Sequence, residues 1–130
     1  MRFVAKTMLL LALAAPAMAK PLTPEEVKAV ADLPASGKVR DCLQLREIQE
    51  TRPVGKNIIM FRTGVNRWLR SDLPFSCNAD SSTTFVIKSS IGNLCSIDTI
   101  DVVDPFTKMN RGFCKLGKFT PVAVPKGMKF

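Results

Sequence analysis

Four cysteines, Cys42, Cys77, Cys95 and Cys114, constrain this chain more than any other feature. Their number is even, and even the closest two, Cys77 and Cys95, stand far apart in sequence. A zinc site favours closely spaced ligand pairs such as Cys-x-x-Cys. The chain has no such pair and no histidine. Two disulfides are therefore expected, with a zinc site as the alternative. Each disulfide contributes about 2–4 kcal/mol, mainly by restricting the unfolded chain. That is a large share in a 130-residue chain, whose core is limited by its size.

Disulfides need an oxidising compartment, and the N-terminus reads as the address. Arg2 and Lys6 give a positive start, Met8–Ala15 an apolar run, and Ala17-Met18-Ala19 a small-x-small cleavage site. This is the layout of a secretory signal peptide cleaved after Ala19. The alternative, a short membrane anchor, is weakened because the run is too short to span a bilayer as a stable helix. No cysteine follows it closely, which argues against a lipid anchor. No second apolar run exists, so no transmembrane segment is expected in the mature chain. The expected location is periplasmic or secreted.

Cleavage would remove Arg2 and Lys6, so the net charge of +8 would fall to +6. In an exported protein that charge suits anionic envelope polymers or lipid headgroups at least as well as nucleic acid. No nucleic-acid partner is expected.

Residues 20–40 read as a short helix and linker. Thr23 can cap, Pro24 fits the first helical position, and Glu26 completes a capping box. Val27, Val30 and Ala31 share one face. Leu33-Pro34 ends the helix. So short a helix is marginal alone and either docks or stays mobile. Residues 41–124 read as the disulfide-stapled β domain, and 125–130 as a loose basic tail. Strands are expected at Leu43–Gln49, Asn57–Arg62, Arg67–Asp72, Thr83–Lys88, Ser96–Val103 and Phe113–Val124. Thr51–Lys56, with Pro53 and Gly55, reads as a turn. A four-residue loop at Thr63–Asn66 places Phe61 opposite Trp68, Met60 opposite Leu69 and Arg62 opposite Arg67. The fold class is mainly β: a small antiparallel meander of about six strands, curled or closed into a barrel.

In such a meander Cys42 and Cys95 lie at one end, Cys77 and Cys114 at the other. Strand parity thus favours Cys42–Cys95 and Cys77–Cys114. The rival is Cys95–Cys114 across a tight turn at Asp104-Pro105, where proline fits poorly. With a longer Asp104–Gly112 loop, Cys114 faces roughly Val102, and Cys95 is out of disulfide reach. Three connectivities remain open.

The cysteines sit in a pattern: Cys42, then Leu73-x-x-x-Cys77, then Leu94-Cys95-x-x-Asp98-x-Ile100, then Gly112-x-Cys114-x-Leu116-Gly117-x-Phe119. Over about residues 40–120 this resembles a group of small exported proteobacterial proteins classed as a domain of unknown function. Ile97 stands where that family often has glycine. The resemblance implies an envelope location and paired cysteines, and it brings no activity or catalytic residue.

Acid–base catalysis is poorly provisioned, since histidine and tyrosine are both absent. Asp98, Asp101 and Asp104 form the one acidic cluster, but on a strand Asp98 and Asp101 point to opposite faces. Asp98 is expected to serve a turn by accepting backbone N–H groups. Lys88 beside Ser89 and Ser90 is a chance-level Ser-Lys pair. No catalytic residue, metal or cofactor is expected. The suggestive binding feature is Arg62, Arg67, Trp68 and Arg70, which could hold an anion or sugar by charge and stacking. The alternative buries Trp68 with Phe61 and leaves the arginines solvated.

The expected function is non-enzymatic: binding a protein partner or an anionic envelope polymer. The second reading is an inhibitor of a hydrolase, since stapled β domains present rigid loops. A basic protein would be repelled by basic wall-degrading enzymes, which weakens it. A cryptic hydrolase is third.

Overall fold

The computed structural model describes residues 20–130. The signal peptide read at 1–19 lies outside the described residues. The first element is α1 (Pro24–Ala31). Its capping box forms as the sequence predicts: Glu26 N–H donates to Thr23 Oγ1 at 3.2 Å, and Thr23 N–H to Glu26 Oε2 at 2.8 Å. The helix docks, with Val30 fully buried.

Nine strands follow among the described residues: β1 (Cys42–Gln44), β2 (Glu50–Val54), β3 (Ile58–Gly64), β4 (Arg67–Asp72), β5 (Thr84–Val86), β6 (Asn93–Cys95), β7 (Thr99–Val103), β8 (Asn110–Lys115) and β9 (Phe119–Val122). They form three antiparallel sheets, ordered β2-β3-β4-β9, β5-β7-β8 and β1-β6. The fold is mainly β as expected, but it is neither one meander nor a closed barrel.

The expected long strands break where side chains take over the backbone's hydrogen bonds. Leu43–Gln49 is strand only in β1, then a 3-10 turn at Leu45–Glu47, where Glu47 accepts from Gln44 N–H. Ser96–Val103 is interrupted before β7, because Asp98 Oδ2 accepts Cys95 N–H at 2.7 Å. Phe113–Val124 divides into β8 and β9. The segment read as a turn at Thr51–Lys56 is mostly β2. Proline is tolerated there because β2 pairs only with β3, so a missing N–H facing outward costs no ladder bond. The turn itself follows at Gly55, whose φ is +60°. A Cβ at Gly55 would stand 2.9 Å from Val27 Cγ1, so the bare glycine also lets α1 approach.

The β3–β4 register differs by one residue from the expected one. The loop is only Val65-Asn66, with Gly64 opposite Arg67 and a bulge before Arg62 opposite Trp68. Phe61 therefore faces Leu69, not Trp68, and Met60 faces Arg70. Because side chains alternate along a strand, this slip exchanges faces.

Sheet β2-β3-β4-β9 is apolar on both faces. One face carries Ile59, Phe61, Leu69 and Phe119, packed with Leu43, Leu94, Ile100, Cys77 and Cys114 from the other two sheets and the connection after β4. Phe61 and Phe119 meet edge to face at 5.3 Å. The other face carries Ile58, Met60, Val122 and Trp68, covered by Val30 and Leu33 and by Val124, Met128 and Phe130. The segment read as a loose tail is thus packed. The linker also has a role: Ser36 N–H donates to Pro121 O at 2.8 Å, and Arg40 and Phe119 exchange backbone bonds, closing the outer edge of β9.

Both disulfides form, as Cys42–Cys95 and Cys77–Cys114, and no cysteine is free. The pairing favoured by strand parity is the one observed, although the single meander behind that argument is not. Cys42 and Cys95 are direct cross-strand partners in β1-β6. Cys77 joins the connection after β4 to β8, where Cys114 faces Ile100 and not Val102.

Candidate binding surface

Arg62, Trp68 and Arg70 stand on the sheet face that α1 covers, as cross-strand and i,i+2 neighbours. The two guanidinium groups are already engaged. Arg62 Nε lies 3.0 Å from Glu50 Oε2, and its Nη1 donates to Gln49 Oε1 at 3.1 Å. Glu50 also pairs with Arg52. Burial pushes the Glu50 carboxyl up, but the hydrogen bonds from Arg52 and Arg62 outweigh it and hold the group below the usual glutamate value. Arg70 is nearly buried. It donates to the carbonyls of Val30 and Leu33 at 3.2 and 2.9 Å and pairs with Asp72 at 3.2 Å. It therefore satisfies the open end of α1. Trp68 packs edge to face on Phe130 at 4.7 Å, with the Arg52 guanidinium 5.9 Å from both rings. Trp68 is in a core, but in the opposite one from Phe61.

Arg67 separates from this group, since the bulge places it opposite Gly64 and not Arg62. It lines an open depression of about 300 Å³ with Arg40, Glu47 and Trp68. Glu47 there is taken by Arg40 at 2.7 Å and by Gln44 N–H. The four residues expected to bind an anion thus do not converge on one.

The carboxylates are dispersed as well. Asp98 holds the turn after β6. Asp101 pairs with Lys88 at 2.7 Å. Ser89 Oγ donates to Asn93 O. Asp104 Oδ1 accepts the N–H groups of Thr107 and Phe106 at 3.0 and 2.9 Å, and these bonds hold its carboxyl below the usual aspartate value. Among the described residues, no three His, Cys, Asp or Glu side chains come together as a metal site. No buried side-chain polar atom among them lacks a partner.

The surface that stands out lies elsewhere, on the β7–β8 hairpin. Phe106 is 90% exposed, Met109 67% and Phe113 68%. Phe113 is opposite Asp101, which is opposite Val86, so all three stand on the outer face of sheet β5-β7-β8. Phe106 and Met109 belong to the turn, which is shaped by the Asp104 side chain and by Asp104 N–H donating to Met109 O at 2.9 Å. Lys108, with φ +60°, and Arg111 flank them. Among the described residues neither cation forms an ion pair. By its position between two strands this loop reads in the sequence as a connection alone. The signal was apolar Phe106, Met109 and Phe113 interleaved with Lys108 and Arg111, where a solvated turn needs no large apolar side chain.

The architecture defines a class: a disulfide-paired, mainly β domain with a projecting basic and apolar hairpin. No helix among the described residues is long and apolar enough to cross a membrane. No known protein family, curated protein or solved structure matches this chain.

Proposed function

We propose that this chain is a non-enzymatic periplasmic or secreted protein that binds an anionic polymer of the cell envelope, and that it belongs with the small exported proteins its cysteine pattern resembles. The observation that carries the reading is the β7–β8 hairpin, where Lys108 and Arg111 stand clear of ion pairs among the described residues. The +6 charge left after loss of Arg2 and Lys6 would draw the domain to such a surface from a distance. Two disulfides suit an oxidising compartment. The dispersal of Asp98, Asp101 and Asp104 into turns and an ion pair speaks against hydrolysis.

The test is sedimentation with lipopolysaccharide and with peptidoglycan across a salt series. Binding that weakens steeply with salt, and weakens further in Lys108→Ala/Arg111→Ala, supports the reading. Salt-independent binding, or none to either polymer, sinks it. A projecting hairpin tied at Cys114 also suits an inhibitor of a hydrolase. Stoichiometric loss of a target enzyme's activity, abolished by the same substitutions, would favour that second reading.

A further inference from the structure

We infer that the β7–β8 hairpin tip is a lipid-insertion element, which seats Phe106 and Met109 among the acyl chains of an anionic phospholipid surface. The inference rests on the anionic-surface reading above and adds a mode of binding that charge alone does not supply.

The exposures decide the shape of the partner. A side chain 90% exposed, as Phe106 is, stands out from the protein on nearly every side. It lines no groove into which a ligand could settle. Such a projection needs a surface that yields around it, and a bilayer interface does so. An exposed Phe gains roughly 1.5–3 kcal/mol when fully removed from water. That is about ten- to a hundredfold in partition.

The charges point the same way. Lys108 lies between Phe106 and Met109, and Arg111 follows. Each cation near an anionic leaflet strengthens binding by roughly fivefold. The acidic groups facing this end are few and occupied. Asp104 is turned back onto the N–H groups of Phe106 and Thr107, and Asp101 is paired with Lys88. Asp80 accepts from Ser82, and the Arg111 charge acts on both Asp80 and Asp104. The Asp104 bonds also give the tip a fixed shape, so little ordering is left for the moment of insertion. Behind it, Cys114 anchors the hairpin to Cys77.

The experiment uses the mature chain with vesicles of phosphatidylcholine containing or lacking phosphatidylglycerol. Cosedimentation should require the anionic lipid. Phe106→Ala should weaken it by roughly tenfold or more, and Lys108→Ala by about fivefold. Neither change should alter the thermal midpoint, because both side chains are exposed. Phe106→Trp should bind like the parent and should shift its emission to the blue on binding. Trp68, packed under Phe130, provides a constant background. Equal vesicle binding by Phe106→Ala and the parent, with no blue shift, would overturn insertion. So would vesicles that fail to bind while lipopolysaccharide or peptidoglycan still does, and that result would leave the polymer reading standing. Failure of all three anionic surfaces would remove both. A protein captured through Phe106 by a chain that ignores vesicles would overturn the inference in favour of a protein pocket.

Discussion

Ser71 and Gly117 satisfy each other: the Ser71 hydroxyl donates to Gly117 O at 2.9 Å and accepts Gly117 N–H at 3.0 Å. Ser71 is the one buried polar residue among the described residues. Its hydroxyl thereby takes up both backbone groups of the middle residue of the three that separate β8 from β9. The same glycine lies against the main chain of β4, and a Cβ on it would overlap Asp72 O. Ser71→Ala should therefore cost about 1–3 kcal/mol, the penalty for leaving buried backbone groups unpaired. Gly117→Ala should cost more, because a backbone carbonyl cannot rotate away as a side chain can. Urea midpoints of the two variants test the order. A Gly117→Ala midpoint at or above that of Ser71→Ala would contradict the packing described.

Arg70 gives a prediction that separates structure from binding. Its guanidinium holds the carbonyl of Val30 in the last turn of α1 and that of Leu33 just beyond the helix. Arg70→Ala should free α1 and lower stability by about 1.5–3 kcal/mol, the usual range for hydrogen bonds to a charged group. Limited proteolysis should then cut between Leu33 and Arg40. Affinity for anionic polymers should fall only slightly. A large loss of affinity without new cleavage would return Arg70 to the binding surface.

What could be read from the sequence was local or covalent. The α1 cap was visible because Thr23, Pro24 and Glu26 act within one turn. The cysteine pairing agrees with the favoured option, but the single meander behind the parity argument does not form: Cys42 meets Cys95 because β1 and β6 pair directly, which strand counting does not show. The β3–β4 register was not visible, since the β3 run Ile58–Phe61 holds no polar residue to mark a slip: Met60 and Phe61 are both wholly buried, on opposite sides. Pro53 hid β2, because edge position is a tertiary property. The engagement of Arg62 and Arg70 depends on Glu50 and on the carbonyls of α1, distant in sequence. Exposure of Phe106 likewise depends on what the rest of the fold leaves uncovered.

Glu50 ties stability to acid. The folded chain holds its carboxyl below the ordinary value, so in the acid range the unfolded chain binds more protons and stability rises with pH. The contribution is complete above the ordinary glutamate pKa of about 4.3. It is lost as the pH falls from there through the lower folded value. Glu50→Gln should therefore be less stable than the parent near neutrality, and the difference should close under acid conditions. Denaturation midpoints followed against pH check this. A gap that stays constant or widens in acid would mean that Glu50 acts through packing and not through its charge.

The two disulfides should fail in different ways. Their spans interleave in sequence, since Cys77 lies inside the span closed by Cys42 and Cys95 and Cys114 outside it, with separations of 53 and 37 residues. Ring-closure entropy varies only logarithmically with length, so each should contribute about 2–4 kcal/mol. The local consequences diverge. Cys42–Cys95 holds β1 to β6, a ribbon of three residue pairs, and a two-stranded ribbon is marginal by itself. Cys42→Ala/Cys95→Ala should thus raise amide exchange in β1 and β6 while β3 stays protected. Cys77→Ala/Cys114→Ala should instead loosen the connection after β4 and the base of the hairpin, with β1 and β6 still protected. Hydrogen exchange by mass spectrometry distinguishes the patterns. Uniform loss of protection in both variants would show that the three sheets open as one unit, so that neither disulfide has a local territory.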